Sequence, residues 1–294
     1  MVDVGWPGDV PVLVPELDRL GYHRYWVTEH HAPGQSAAPT VLAAAAAGAT
    51  PGGRIRIGTA GVLLNFRSPA AVVSDFAVLE LLHPGRIDLG VAASTAGDGA
   101  VAEALLDGRP APTRTRYDEK VAELARLVAD TEGDDPVASE LGPTTAGRPD
   151  VWVCGTSTSS AELAGRLGLA YAFHDHLKDV GTDGPGVVDR YLEAFDGSDA
   201  RRRGVDPTFV VAAYGLCADS EKRSIRLLGE AQPAYRGRPE QCHEQLCELA
   251  DRYGTTEVAT YALSRDSRDR LHSYRLLASA FDLPAAVEGL DPAH

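Results

Sequence analysis

Short β-type runs alternate with helical stretches along nearly the whole of this chain, and no other feature constrains its fold as tightly. Strands are expected at Val2–Trp6, His23–Val27, Arg54–Ala60, Arg86–Val91, Val151–Cys154, Leu169–Phe173, Thr208–Leu216 and Glu257–Tyr261. Helical spacing or punctuation follows each of them, as at Val121, Leu124, Leu127 and Val128, or at Ser68-Pro69, where Ser68 is expected to cap and Pro69 to open a helix running to Leu82. Gly48 is expected to cap the helix over Ala37–Ala47. Strands joined by helical crossovers pair in parallel and are covered by those helices. Eight such units in 294 residues suit a closed α/β (β/α)8 TIM barrel, one domain over residues 1–294, better than an open doubly wound sheet. Ser94–Arg116, rich in Gly, Ala, Pro and Arg, is expected to be a long loop over the active site.

In a parallel barrel the loops that follow the strands open on one face. The residues there are Glu29-His30-His31, Ala60-Gly61, Ala92-Ala93, Gly155 to Ser160, His174-Asp175-His176 and the tip around Ala218. Three titratable side chains in a row at a strand end, Glu29, His30 and His31, are costly to bury unless paired or used. Gly155-Thr156-Ser157-Thr158-Ser159-Ser160 joins a strand to a helix. Helix-start N–H groups flanked by hydroxyls can cradle a phosphate, and a Ser there can equally serve as a plain N-cap. His174-x-His176 and Trp6 could face a substrate pocket. A metal on the histidines lacks the usual helical ligand spacing and is not expected. Trp26 and Trp152, inside strands, read as core.

The net charge of −14 repels phosphate backbones and anionic lipid, so neither nucleic acid nor a membrane is an expected partner. The four cysteines are too few and too dispersed for a disulfide framework. With no charged leader before an apolar core, the expected location is the cytoplasm.

GYHRYWVTEHH, RIRIGTAGVLL followed by SP, LLHPGRIDLG, VWVCGTSTSSAELAGRLGLAYAF, GRPEQCHEQL and RLHSYRLLASAF lie in order along the chain. Together they resemble the bacterial luciferase-like, flavin-dependent oxidoreductases. The resemblance implies a usually dimeric TIM barrel that binds reduced FMN or, in some branches, the deazaflavin F420. It implies that His30 takes part in the flavin chemistry, that Ala60-Gly61 is a non-proline cis peptide behind the flavin ring, and that Ser157 and Ser160 contact the phosphate. The chain departs from the family pattern at Ala93, where an arginine commonly meets the FMN phosphate. Arg109, Arg114 or Arg116 could replace it. Ala32 and Asn65-Phe66-Arg67 also differ from the usual residues, and the first strand and helix are shorter.

The implied activity is a reduced-FMN-dependent monooxygenase that uses molecular oxygen on a small organic substrate, in the setting of secondary metabolism. His30, Glu29 and His31 would be its catalytic residues, with Ala60, Gly61, Gly155, Thr156, Ser157 and Ser160 around the cofactor. FMN would arrive reduced from a separate reductase, because no G-x-G-x-x-G follows the first strand. One alternative is a deazaflavin-dependent reductase or dehydrogenase on the same barrel. Another is a luciferase-like subunit without cofactor or catalysis.

Overall fold

A computed structural model describes residues 2–3, 8–31, 35, 37–94, 99–130, 135–141, 147–178 and 181–285. In chain order the elements are β1 (Val2–Asp3), α1 (Val10–Arg19), β2 (Arg24–Val27), α2 (Pro39–Gly48), β3 (Arg56–Thr59), β4 (Val62–Leu63), α3 (Pro69–Leu82) and β5 (Ile87–Ala92). Then follow α4 (Ala100–Leu106), α5 (Arg114–Ala129), β6 (Asp150–Gly155), α6 (Thr158–Leu167), β7 (Ala170–His174), α7 (Gly184–Asp196) and α8 (Asp199–Arg202). The chain continues with β8 (Phe209–Cys217), α9 (Glu221–Leu228), β9 (Tyr235–Gly237), α10 (Pro239–Tyr253), β10 (Val258–Ala262) and α11 (Ser267–Ala280).

The strands pair in parallel in the order β1-β2-β3-β5-β6-β7-β8-β10, with β4 beside β5 and β9 beside β8. Each of the eight expected strands overlaps a strand of that order. The sheet is strongly curled. Trp26 on β2 and Trp152 on β6 are three strand steps apart in the order, about 14 Å on a flat sheet, yet their rings meet edge to face at 4.9 Å. Arg24 on β2 likewise reaches Glu257, just before β10, at 2.9 Å. Residues near the two edges of the sheet therefore come together at its N-terminal end.

Curling divides the core by the period-2 alternation of strand side chains. Tyr25, Val27, Ile57, Leu89, Val153, Tyr171, Phe173 and Val211 face the helices in one large cluster. Trp26, Trp152, Cys154, Ala172, Val210, Ala212 and Ala259 face inward in a second. Close strand approach on the inner side explains two glycines. A Cβ on Gly58 would lie 2.2 Å from the Asp88 carbonyl oxygen, and one on Gly90 would lie 1.9 Å from that of Thr59.

Local signals act mostly as expected. Pro69 opens α3, but the Ser68 side chain makes no capping bond there, and Gly48 is the last residue of α2 rather than its cap. The stretch expected to be a loop contains α4, and Arg114 already begins α5; residues 95–98 lie outside the described part. All four cysteines are free thiols. Among the described residues no helix is long and apolar enough to cross a membrane.

Candidate active site

At the C-terminal end of the curled sheet lies a cavity of about 530 Å³. It gathers the ends of β2 (Thr28, Glu29, His30), β3 (Ala60, Gly61), β5 (Ala92, Ala93, Ser94), β6 (Gly155, Thr156, Ser157, Ser160) and β7 (His174, His176). Residues separated by up to about 150 positions thus meet around one volume because parallel strands all end on the same side. His31 is outside this wall and Ala218 is too; Ala218 is buried with its N–H donated to the Gly237 carbonyl. Trp6 lies outside the described residues.

Glu29 and His31 flank His30 in a fixed arrangement. The Leu63 N–H donates to Glu29 Oε2 at 2.9 Å. Arg67 donates to the same carboxylate through Nη2 at 3.0 Å, and His31 Nε2 lies 2.9 Å from Oε1. A buried carboxylate with this set of donors is paired rather than available. Glu29 is therefore held by these partners at the strand end, and it lines the cavity together with His30 while His31 does not. Burial first, and then the neighbouring His31, hold the His30 pKa below the ordinary imidazole value.

The Ala60–Gly61 peptide is cis, as the resemblance implies. Gly61 packs directly on the β5 backbone, where a Cβ would come within 2.8 Å of Gly90 and Val91. The wall is therefore bare main chain at that point.

At β6–α6 Ser157 is the N-cap and its hydroxyl accepts from the Ser160 N–H. Ser160 Oγ donates to the Ser157 carbonyl at 2.7 Å and sits 3.3 Å from Tyr171 OH. Gly155 is required beneath it, since a Cβ there would stand 2.5 Å from Ser160 Oγ. The capping role is thus in place for Ser157, and the Ser160 hydroxyl serves the loop. Of the three candidate arginines only Arg114 lines the cavity. Its Nη2 donates to the Ser159 carbonyl at 2.8 Å, and its Nε lies 2.7 Å from Asp118. Arg109 is bound to the Phe66, Leu105 and Leu106 carbonyls, and Arg116 pairs with Glu119 on the surface.

Opposite stand His174 and His176, with rings stacked at 5.6 Å. His176 Nδ1 donates to the Ala212 carbonyl at 3.1 Å, and Tyr214 meets its ring edge-on. His174 is 6% exposed. Burial, with His176 beside it, pushes its pKa down to about 3. Cys154 lies in the cavity floor with its thiol pushed up to about 12 by burial, so it carries no nucleophilic thiolate near neutrality.

Sequence reasoning did not single out Tyr214, Tyr261, Leu63, Leu177 or Leu263, which complete the wall. The two tyrosines were within reach of it. Tyr214 continues the inward series Val210, Ala212, and Tyr261 continues from Ala259.

A family model described as luciferase-like monooxygenase matches residues 7–235. The chain belongs to this family. It is 32% identical to the uncharacterized protein YwcH of Bacillus subtilis, over 92% of this chain and 91% of the relative. It is 28% identical to a luciferase-like monooxygenase of Escherichia coli, over 90% and 80%. Among solved structures, apo-MsnO8 superposes with a TM-score of 0.86 at 29% identity, covering 97% of this chain and 98% of that one. Two more distant structures share the fold. One is the oxygenating constituent of 3,6-diketocamphane monooxygenase from Pseudomonas putida in complex with FMN, with a TM-score of 0.68 at 17% identity over 93% and 91%. The other is an F420-dependent secondary alcohol dehydrogenase in complex with an F420-acetone adduct, with a TM-score of 0.65 at 16% identity over 95% and 98%. Family membership makes this luciferase-like chain an enzyme, an oxidoreductase of monooxygenase type.

Proposed function

We propose that this enzyme is a reduced-FMN-dependent monooxygenase acting on a small organic substrate, as in secondary metabolism, with the flavin delivered reduced by a separate reductase. The observation that carries the reading is a single cavity that unites His30, the bare Ala60–Gly61 wall and the start of α6 with Arg114. These features fit the parts of a flavin nucleotide. A flat ring system needs a wall without side chains, which Gly61 supplies. An anionic tail needs positive potential, which the N-terminus of α6 and the Arg114 guanidinium supply together. Arg114 would thus stand in for the arginine absent at Ala93.

Bound reduced FMN would supply the two electrons needed to place one atom of oxygen in the substrate and release the other as water. The residues of the chain do the rest. The imidazole of His30, neutral near pH 7 through its lowered pKa, takes or returns a proton at its ring nitrogen. Glu29 and His31 hold the strand end that carries it. Ser94 and Arg114 line the mouth of the cavity and would help to exclude water from it.

The curled sheet is taken to close as a full (β/α)8 barrel, since β1 lies beside β10 in space. A homodimer is supported by exposed Val41 on α2 and Val78, Leu81 and Leu82 on α3, an apolar surface on neighbouring helices of the kind that marks an interface. The cytoplasm is the expected setting. Ala93 favours a second reading, in which F420 replaces FMN and hydride transfer replaces oxygen chemistry. A visible-absorbance titration of the purified protein with FMN and with F420 separates the two. Tight FMN binding with substrate-dependent oxygen uptake supports the first reading, and exclusive F420 binding the second. Binding of neither removes both.

A further inference from the structure

The buried face of α5 runs Tyr117, Lys120, Val121, Leu124 and Leu127. Lys120 interrupts this stripe, where an amphipathic helix calls for apolar side chains, and it is only 8% exposed. Burying an ammonium is costly unless its hydrogen bonds are made good. A Met or Leu would fill the same stripe without that cost. Burial first, and then Arg109 and Arg116, hold the Lys120 pKa below the ordinary lysine value.

The ammonium is spent on one short segment. Between β4 and α3 the chain makes a single 3-10 turn, Leu64–Phe66. Lys120 Nζ donates to the carbonyls of Leu64 at 2.9 Å, Asn65 at 3.1 Å and Arg67 at 2.8 Å. Arg109 donates to the Phe66 carbonyl at 3.0 Å. Carbonyls at the end of a helical turn lack partners within it, and here a cation serves each of them. Two side chains of the clamped segment lead to the cavity wall. Asn65 Nδ2 donates to the Ala93 carbonyl, at the end of β5, at 2.7 Å. Arg67, together with the Leu63 N–H, holds Glu29, which lines the cavity beside His30. One buried cation thus fixes the segment that reaches the ends of β2 and β5 at once.

We infer that Lys120 is a positioning residue of the active site: it clamps residues 64–67 so that Arg67 stays on the Glu29 carboxylate and His30 keeps its surroundings in the cavity. Lys120 is not part of the cavity wall, so it acts through Arg67. The inference rests on the proposed role of His30 in proton transfer and deepens it. The charged groups acting on His30 are His31 and Glu29, and Arg114, His174 and His176 share its cavity. Of these, Glu29 is bonded to the clamped segment. Once the clamp is released, Arg67 no longer offsets Glu29, and the bare carboxylate favours the protonated His30 ring.

The test reads His30 in the full-length protein without flavin. Proton–carbon correlation spectra of isotope-labelled histidine follow each ring through pH, with His30 assigned by the signal lost in His30→Ala. Lys120→Met should keep the native circular dichroism spectrum and move the His30 midpoint up by about half a pH unit or more. Arg67→Met should do the same, and the double variant should move it no further than Arg67→Met alone. An unmoved midpoint in Lys120→Met would overturn the inference. So would shifts that add in the double variant, since Lys120 would then act through its own charge or through the fold at large. Lys120→Gln replaces Lys120→Met if the latter does not fold, and failure of both to fold would make Lys120 a residue of the fold alone. A visible-absorbance titration with FMN is run in parallel. If FMN fails to bind while the His30 shifts appear, the flavin reading falls and the positioning role of Lys120 remains.

Discussion

The two ends of the curled sheet use polar side chains in opposite ways. At the N-terminal end every main partner is another residue of the chain. Asp88, fully buried, accepts from Arg24 at 2.8 Å, from Arg56 at 2.7 Å and from Trp26 Nε1 at 2.8 Å. Arg24 continues to Glu257 and stacks over Trp152, while Arg56 continues to Asp150. At the C-terminal end His174 Nε2 is buried with no hydrogen-bond partner among the described residues, and Arg114 lines the cavity. The Asp88 network ties strands together by pairing its charges internally, although a cavity of about 360 Å³ lies against Arg24 and Glu257 at its edge. An incompletely paired buried group lowers stability, and the cavity beside it leaves room for a ligand.

Breaking the saturated end should have the largest effect. Asp88→Ala removes the buried acceptor shared by Arg24, Arg56 and Trp26 Nε1, leaving Arg24 with Glu257 and Arg56 with Asp150; with the two arginine side chains only 11% and 18% exposed, it should cost about 3–5 kcal/mol. Urea unfolding followed by tryptophan fluorescence measures it. A loss under 1 kcal/mol would show that the network is decorative. At the other end the expected effect is on rate instead. His30→Ala should lower substrate-dependent oxygen uptake by roughly a hundredfold or more while moving the unfolding midpoint little. Oxygen uptake at the native rate would take His30 out of the chemistry.

Acid probes the cost of the open end. Burial lowers the His174 pKa from 6.5 to about 3, so the unfolded chain binds the proton first as pH falls. Its contribution is complete above pH 6.5 and is lost on the way down to about 3. That loss amounts to about 3 kcal/mol by pH 4. Lowered pKa values at His30 and His176, each through burial first, act with the same sign. His174→Gln should therefore lose about 3 kcal/mol less than the native protein between pH 7 and pH 4, by urea midpoints at each pH. Parallel losses in the two proteins would mean that the buried ring does not resist protonation.

The difference between the ends also explains what could be read from sequence. Strand order and the meeting of strand ends follow from β/α alternation, so the surroundings of His30, Ala60-Gly61, Ser157 and His174 were legible as a set. Pairing was not. Nothing in Glu29-His30-His31 says that Arg67, well downstream, occupies Glu29. The strands β4 and β9, at 2 and 3 residues, are too short for an alternation pattern to register. α4 hid among Gly, Ala and Pro. The choice of Arg114 over Arg109 and Arg116 depended on where α5 begins, which is a boundary that composition marks poorly.

The smallest expected effect separates those three arginines. If Arg114 meets the phosphate of FMN, Arg114→Ala should weaken FMN binding by roughly tenfold, the scale of one charge-assisted hydrogen bond. Riboflavin has the same ring and lacks the phosphate, so its affinity should be unchanged by the same substitution. Fluorescence titration reads both without turnover. Arg114→Ala also removes the bond to the Ser159 carbonyl and the ion pair with Asp118, so a disturbed α6 would weaken both ligands alike. Arg109→Ala and Arg116→Ala should change neither affinity, because their guanidinium groups are directed to carbonyls and to Glu119 outside the cavity. A selective loss for FMN in Arg114→Ala alone assigns the phosphate to the start of α6. An equal loss for both flavins reduces Arg114 to a brace for that loop and returns the anion site to the backbone N–H groups.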